Sequence, residues 1–101
     1  AWAKTPEARK PPIAASMANI RGWSHCLVNE PTPLAAFRKL DIPVLYMTGA
    51  ASPASSLAVA KLLTKALPGV EVLEFKGMGH MGPITHADTV NVAISRFLAA
   101  R

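Results

Sequence analysis

The sequence predicts an α/β fold, and three observations favour it. A continuous apolar run, IPVLYM at 42–47, is typical of a strand that is buried on both faces. A second β-rich run, VEVLEF, follows at 70–75. Leucines at helical spacing lie between the two runs. A strand–helix–strand order with a crossover of about fifteen residues produces parallel strands in a right-handed unit.

The amino-terminal part predicts a linking segment followed by helices. AWAKTPEARKPP at 1–12 is rich in proline and charge, which is typical of irregular chain. A helix is predicted next, because residues recur at its spacing at Ile13, Met17, Ile20, Ser24, Leu27 and Val28. Pro31 and Pro33 then end this helix, and LAAFRKL at 34–40 predicts a short second one.

The first predicted strand ends at Gly49, and a helix is expected to begin directly after it. Ser52 is a favourable N-cap residue, and Pro53 would occupy the first helical position, where its missing N–H costs nothing. The apolar positions of this helix are Leu57, Ala60, Leu63 and Leu67. Pro68 and Gly69 predict its end.

The last predicted element is a helix that begins at Pro83 and Thr85. One face of it would carry Val90, Ala93, Ile94, Phe97 and Leu98. Two parallel strands do not cover each other's faces, and the run at 42–47 is too apolar for an edge strand. We therefore expect residues 41–101 to be the carboxyl-terminal part of a larger α/β domain. The initial Ala1 agrees with a piece of a longer chain.

Composition argues against several classes of partner. The net charge is +5, but the eleven Lys and Arg residues are scattered and only six residues are aromatic. A nucleic-acid surface needs both kinds of residue in clusters, so a solvated basic surface is the better interpretation. No apolar run approaches the roughly 20 residues that cross a bilayer. A single cysteine, Cys26, excludes an internal disulfide and fits a reducing compartment, so we expect a cytoplasmic protein without a membrane partner.

No cofactor or metal site is expected. His80 and His86 lack an acidic or cysteine partner at ligand spacing. Neither a phosphate-binding P-loop nor a dinucleotide fingerprint occurs.

The segment FKGMGHMGP at 75–83 contains the main candidate site residue, His80. Ligands of parallel α/β sheets bind outside the carboxyl ends of the strands, and His80 follows the second strand at that edge. Histidine serves as a general base because its ordinary pKa lies near neutral pH. Gly77 and Gly79 would allow a sharp turn and a close approach of backbone or substrate. Met78 and Met81 are both expected to pack against neighbouring residues. Lining a pocket is an alternative role for Met81.

These segments resemble the last third of an α/β-hydrolase. The resemblance covers 41–100 and rests on LDIPVLYMTG, ALPGVEVLEFKGMGHM and VNVAISRFL, in this order. It implies that His80 is the histidine of a nucleophile–His–acid triad in an esterase- or lipase-like hydrolase. The expected substrate is a small ester or a related compound with an acyl or C–X bond, and no cofactor is implied. Residues 1–40 would be a linker and the end of a lid or cap.

Two members of such a triad are missing from their expected positions. The nucleophile motif G-x-S-x-G is absent, and the nearest string, GWSHC around Ser24, lies inside a helical pattern. Ser52 occupies the position where the family commonly places its acid. Four of the six acids lie in or near the predicted strands and the final helix and fit the role no better, namely Asp41, Glu71, Glu74 and Asp88.

Three hypotheses remain open. The chain supplies the histidine to a hydrolase completed by the rest of a longer chain, whose acid lies at another strand end or whose triad is reduced to a dyad. Alternatively, it belongs to a non-catalytic α/β-hydrolase-like binding or regulatory protein. The third hypothesis is a small basic interaction module, which the scattered charge disfavours.

Overall fold

The computed structural model describes residues 2–101, and the chain divides into two compact units, 1–32 and 33–101. The predicted boundary lay at 40/41. The short helix predicted at 34–40 is a 3₁₀ helix, Leu34–Lys39, and it lies in the second unit.

The first unit is helical throughout most of its length. Two 3₁₀ turns, Trp2–Lys4 and Glu7–Arg9, precede α1, Lys10–Ala15, and α2, Met17–Asn29. The predicted irregular opening is therefore wrong in part, because Pro11 and Pro12 are tolerated in the first turn of α1.

The helix predicted from Ile13 is confirmed in type but divided in two. The break lies at Ser16, whose hydroxyl donates to the Ile13 carbonyl at 2.7 Å. A side chain that bonds to a nearby backbone carbonyl in this way competes with the regular helix. Within residues 2–32 no side chain is buried, and the apolar stripe of α2 faces solvent, with Leu27 82% exposed.

The second unit contains the predicted strand–helix–strand. Strand β1 is Leu45–Gly49, α3 is Ala54–Ala66 and β2 is Glu71–Phe75. The strands are parallel, and their register runs from Leu45 opposite Glu71 to Gly49 opposite Phe75. Both strands therefore end at the same edge. Two further helices follow, α4, Gly82–Thr85, and α5, Ala87–Ala99.

Three boundaries differ from the sequence prediction. Strand β1 begins three residues after Ile42, which is 63% exposed. Helix α3 begins at Ala54 with Pro53 as its N-cap residue, so the capping role predicted for Ser52 is wrong. The N–H of Ser52 instead donates to the Gly49 carbonyl at 3.0 Å, which closes a turn. The final helix is divided at His86, whose φ of −136° and ψ of 44° interrupt the helical backbone.

The core of the second unit is small. Its buried apolar residues are Ala60, Ala66, Leu67, Met78 and Val90. Strand β1 is half-buried along its whole length. Within residues 2–101 the sheet has two strands, and the expectation that further strands complete it stays a prediction. None of the helices in this part of the chain is long and apolar enough to cross a bilayer.

Candidate functional site

The structure places His80 in the loop 76–81, between β2 and α4, at the carboxyl edge of the sheet. The turn 50–52 leaves β1 at the same edge. Two backbone hydrogen bonds join these segments. The Ala50 N–H donates to the Phe75 carbonyl at 3.0 Å, and the Ala51 N–H donates to the Met78 carbonyl at 3.0 Å. The loop that carries His80 is therefore attached to the exit of the neighbouring strand.

The glycines of the loop act differently from the prediction. Gly77 has a φ of +73°, in the left-handed region that glycine adopts without strain, as a sharp turn requires. Gly79 does not lie in that region, and a Cβ there would meet the Ala51 carbonyl oxygen at an ordinary 3.7 Å. The tightest approach to the loop's backbone involves Gly49, where a Cβ would overlap the Met78 carbonyl oxygen and would lie 2.9 Å from the Gly79 oxygen. The sequence prediction named Gly77 and Gly79 for a close backbone approach, whereas the residue that leaves room for the loop is Gly49.

The two methionines of the loop have different environments. Met78 is buried, with 6% of its surface exposed, as predicted for a packing residue. Its side chain lies against Gly82 at the start of α4, where a Cβ would come within 2.6 Å of the Met78 Cγ. Met81 is 54% exposed, and a role for it in lining a pocket stays a prediction.

The imidazole of His80 is exposed to solvent. Among residues 2–101, no side chain donates a hydrogen bond to its ring or accepts one from it. Ser52, at the expected acid position, is half-buried in the turn beside the loop. The site therefore presents a free imidazole without a charged partner in the described chain, and its catalytic role stays a prediction.

The other reactive side chains lie within a helix or at a helix boundary. Ser24 is inside α2 and exposed, and between residues 2 and 23 no strand precedes it, which agrees with rejecting GWSHC as a nucleophile elbow. Cys26 is exposed on the same helix. The His86 Nδ1 lies 2.8 Å from the Thr85 hydroxyl. Across residues 2–101 there is no group of three or more His, Cys, Asp or Glu side chains that could hold a metal ion.

An open groove of about 460 Å³ between β2 and α5 was not foreseen from the sequence. It is lined by Leu73, Phe75, Asp88, Thr89, Val92, Ala93 and Arg96. The apolar spacing at 90–98 predicted a helix with one apolar face and gave no indication of a groove. Spacing identifies the face that is buried, but not how closely two elements approach. His80 does not line this groove, so the groove and the loop 76–81 are separate features.

Comparison with known proteins supports the fold. No family model and no curated protein sequence matches this chain. It is similar to the crystal structure of a Mycobacterium tuberculosis H37Rv protein provisionally assigned as the non-heme bromoperoxidase BpoC, from the α/β-hydrolase family. The two are 28% identical with a TM-score of 0.60, over 66% of this chain and 25% of that one. The chain thus corresponds to a quarter of that protein's length, and its fold is α/β-hydrolase-like.

Proposed function

We propose that this chain supplies the general-base histidine, His80, to an α/β-fold hydrolase that acts on esters or related acyl or C–X bonds. The observation that carries the proposal is the position of His80. Its loop leaves β2 at the carboxyl edge and is hydrogen-bonded to the turn after β1 through Ala51 and Met78. That edge is where parallel α/β sheets bind their ligands.

A free imidazole at this edge can carry out both proton transfers of such a reaction. It would accept the proton of a nucleophile as that group attacks the substrate, and then return the proton to the leaving group. The exposed, unpartnered ring of His80 leaves both nitrogens available for these contacts. The nucleophile itself would come from residues outside the described chain, because the helical setting of Ser24 does not suit a nucleophile elbow.

The remaining assignments belong to the same proposal. Residues 1–40 would be a linker and the end of a lid, and the rest of the α/β-hydrolase chain would extend the sheet from β1. An ester-like substrate would lie over the strand ends near His80. We expect neither a nucleic-acid nor a membrane partner, and a cytoplasmic location.

The first arm of the test uses the isolated chain, in which His80 and the control residue His86 are both exposed. The isolated 101-residue chain should not hydrolyse a p-nitrophenyl ester, because it lacks a nucleophile. Clear turnover that disappears in His80→Ala would overturn this assignment.

A longer reading frame that includes residues on the amino-terminal side of Ala1 supplies the second arm of the test. It should encode a G-x-S-x-G motif after a buried strand and an Asp or Glu at another strand end. In that protein, His80→Ala should lower kcat by about 10²–10⁴-fold, the usual contribution of a positioned general base. The matched His86→Ala variant should keep wild-type kcat. Equal rates for both variants would refute the proposal.

One observation favours the second candidate, a non-catalytic α/β-hydrolase-like binding or regulatory protein. Ser52 stands where a carboxylate is expected, and a serine hydroxyl does not stabilise an imidazolium by charge. If the longer protein has the fold but no nucleophile elbow, and His80→Ala leaves ligand binding unchanged, this candidate replaces the hydrolase.

A further inference from the structure

We infer that Gly49 and Met78 are positioning residues for His80, and that they act through the backbone contact between the turn after β1 and the loop 76–81. The catalytic consequence of this inference rests on the proposed function. The positioning itself is a property of this chain and can be tested separately.

The first step concerns the backbone of Met78. Its carbonyl accepts the Ala51 N–H at 3.0 Å, and its own N–H donates to the Phe75 carbonyl at 3.4 Å. Met78 thus bonds both to the end of β2 and to the turn that follows β1. His80 is only two positions further along the chain, so these bonds restrict where its backbone can lie.

The second step concerns the space at Gly49. A Cβ at this position would lie 2.8 Å from the Met78 carbonyl carbon and 2.9 Å from the Gly79 oxygen. Both are backbone atoms, so a rotamer change of a neighbouring side chain cannot relieve the overlap. Any larger residue would have to displace the segment that immediately precedes His80.

The third step concerns the other end of the loop. The buried side chain of Met78 packs against Gly82, the first residue of α4. The segments before and after His80 are therefore both held by Met78. Because the His80 ring makes no hydrogen bond to residues 2–101, its position depends on this backbone frame.

The closing experiment uses NMR on the full 101-residue chain with one added methyl group at each of two glycines. Gly49→Ala should change the imidazole C–H shifts of His80 and accelerate exchange of the Ala51 amide at least about 5-fold, as loss of one hydrogen bond would. Gly79→Ala is the matched control beside His80. A Cβ there makes only an ordinary contact, so both signals should stay close to wild type.

Substitutions of Met78 test the same inference without adding bulk. Met78→Ala should reproduce the changes at His80 and Ala51, whereas Met78→Leu should largely restore the wild-type signals. If Gly49→Ala does not fold, the comparison of these two variants decides. Wild-type signals in Gly49→Ala or in Met78→Ala, or equal changes in Gly79→Ala, would overturn the inference.

The two proposals fail in different ways. In an active longer protein, Gly49→Ala should lower kcat by at least about 10-fold with KM little changed, because a misplaced general base slows the proton transfer. An altered NMR signal with unchanged kcat would retain the positioning and refute the catalytic role of His80. An unchanged NMR signal refutes the positioning whatever the activity.

Discussion

The free edge of β1 leads to a prediction that can be worked out from the register. The Val44 carbonyl accepts the Glu71 N–H at 2.9 Å, and the Ala50 N–H donates to the Phe75 carbonyl at 3.0 Å. Backbone groups of alternate residues in a strand point to opposite edges. The even-numbered residues from 44 to 50 therefore face β2, and the odd-numbered ones direct their N–H and C=O groups away from it.

Proline substitutions at two adjacent positions separate these edges. Leu45→Pro removes an N–H from the free edge, whereas Tyr46→Pro removes one that faces β2. Relative to alanine at the same position, Tyr46→Pro should lower the free energy of unfolding by about 2–4 kcal/mol, from the lost hydrogen bond and the unpaired carbonyl left behind. Leu45→Pro should cost no more than about 1 kcal/mol, because proline is tolerated at the first residue of a strand.

Urea unfolding followed by circular dichroism measures these costs, and sedimentation velocity measures association. The free edge of β1 predicts self-association of the wild-type chain, since unpaired strand edges recruit other strands. Leu45→Pro should weaken that association, whereas Leu45→Ala, which keeps the N–H, should not. Equal costs for the two proline variants would show that the edge assignment is wrong. A monodisperse wild-type monomer that melts cooperatively would contradict the predicted association.

Three further predictions concern single contacts. Arg101→Ala should lower the free energy of unfolding by at most about 2 kcal/mol, and less at high salt, because it removes an exposed 3.2 Å ion pair with Glu71 and the contact of the guanidinium with the Phe97 ring; a larger loss in urea unfolding would contradict this. Gly77→Ala should cost about 1–2 kcal/mol in the same assay, because φ is +73° there, and a neutral result would count against that backbone geometry. Two hydrogen bonds lower the pKa of the Glu30 carboxyl, the larger effect coming from the Thr32 hydroxyl and the smaller from the Thr32 N–H. Thr32→Val removes the first of them and should raise that pKa in an NMR titration. The stabilisation from this lowered pKa is present above the unfolded-state pKa and is lost as the pH falls through the folded-state pKa. An identical titration of Glu30 in the variant would refute the role of the Thr32 hydroxyl.

The strand–helix–strand and the edge that carries His80 could be predicted from sequence because both follow from local rules. A continuous apolar run and a β-rich run identified β1 and β2, and apolar residues at helical spacing identified α3. The parallel connection fixed which strand ends meet. The division of the final helix at His86 was not predictable in this way. Apolar residues continue at helical spacing on both sides of it, and spacing does not reveal one non-helical residue.

The contact between Gly49 and the loop 76–81 could not be predicted because it is not local. The sequence shows a glycine that ends a strand, which is common where a turn follows. That a backbone segment almost thirty residues later lies against it depends on the register of β1 and β2. The free state of the His80 ring is equally a three-dimensional property, since no spacing rule excludes a partner from a distant part of the chain.

The distribution of fluorescent side chains follows the division of the chain at 32/33. Both tryptophans, Trp2 and Trp23, lie in the first unit, and the single tyrosine, Tyr46, lies on β1 in the second. Tryptophan emission therefore reports on the first unit alone, and with 52% and 64% of their surfaces exposed the two rings should emit near the wavelength of solvated indole even when folded. Tyrosine emission reports on β1. Unfolding of the second unit must therefore be followed through Tyr46 or through backbone circular dichroism, because the tryptophans lie in the other unit and their emission is expected to shift little.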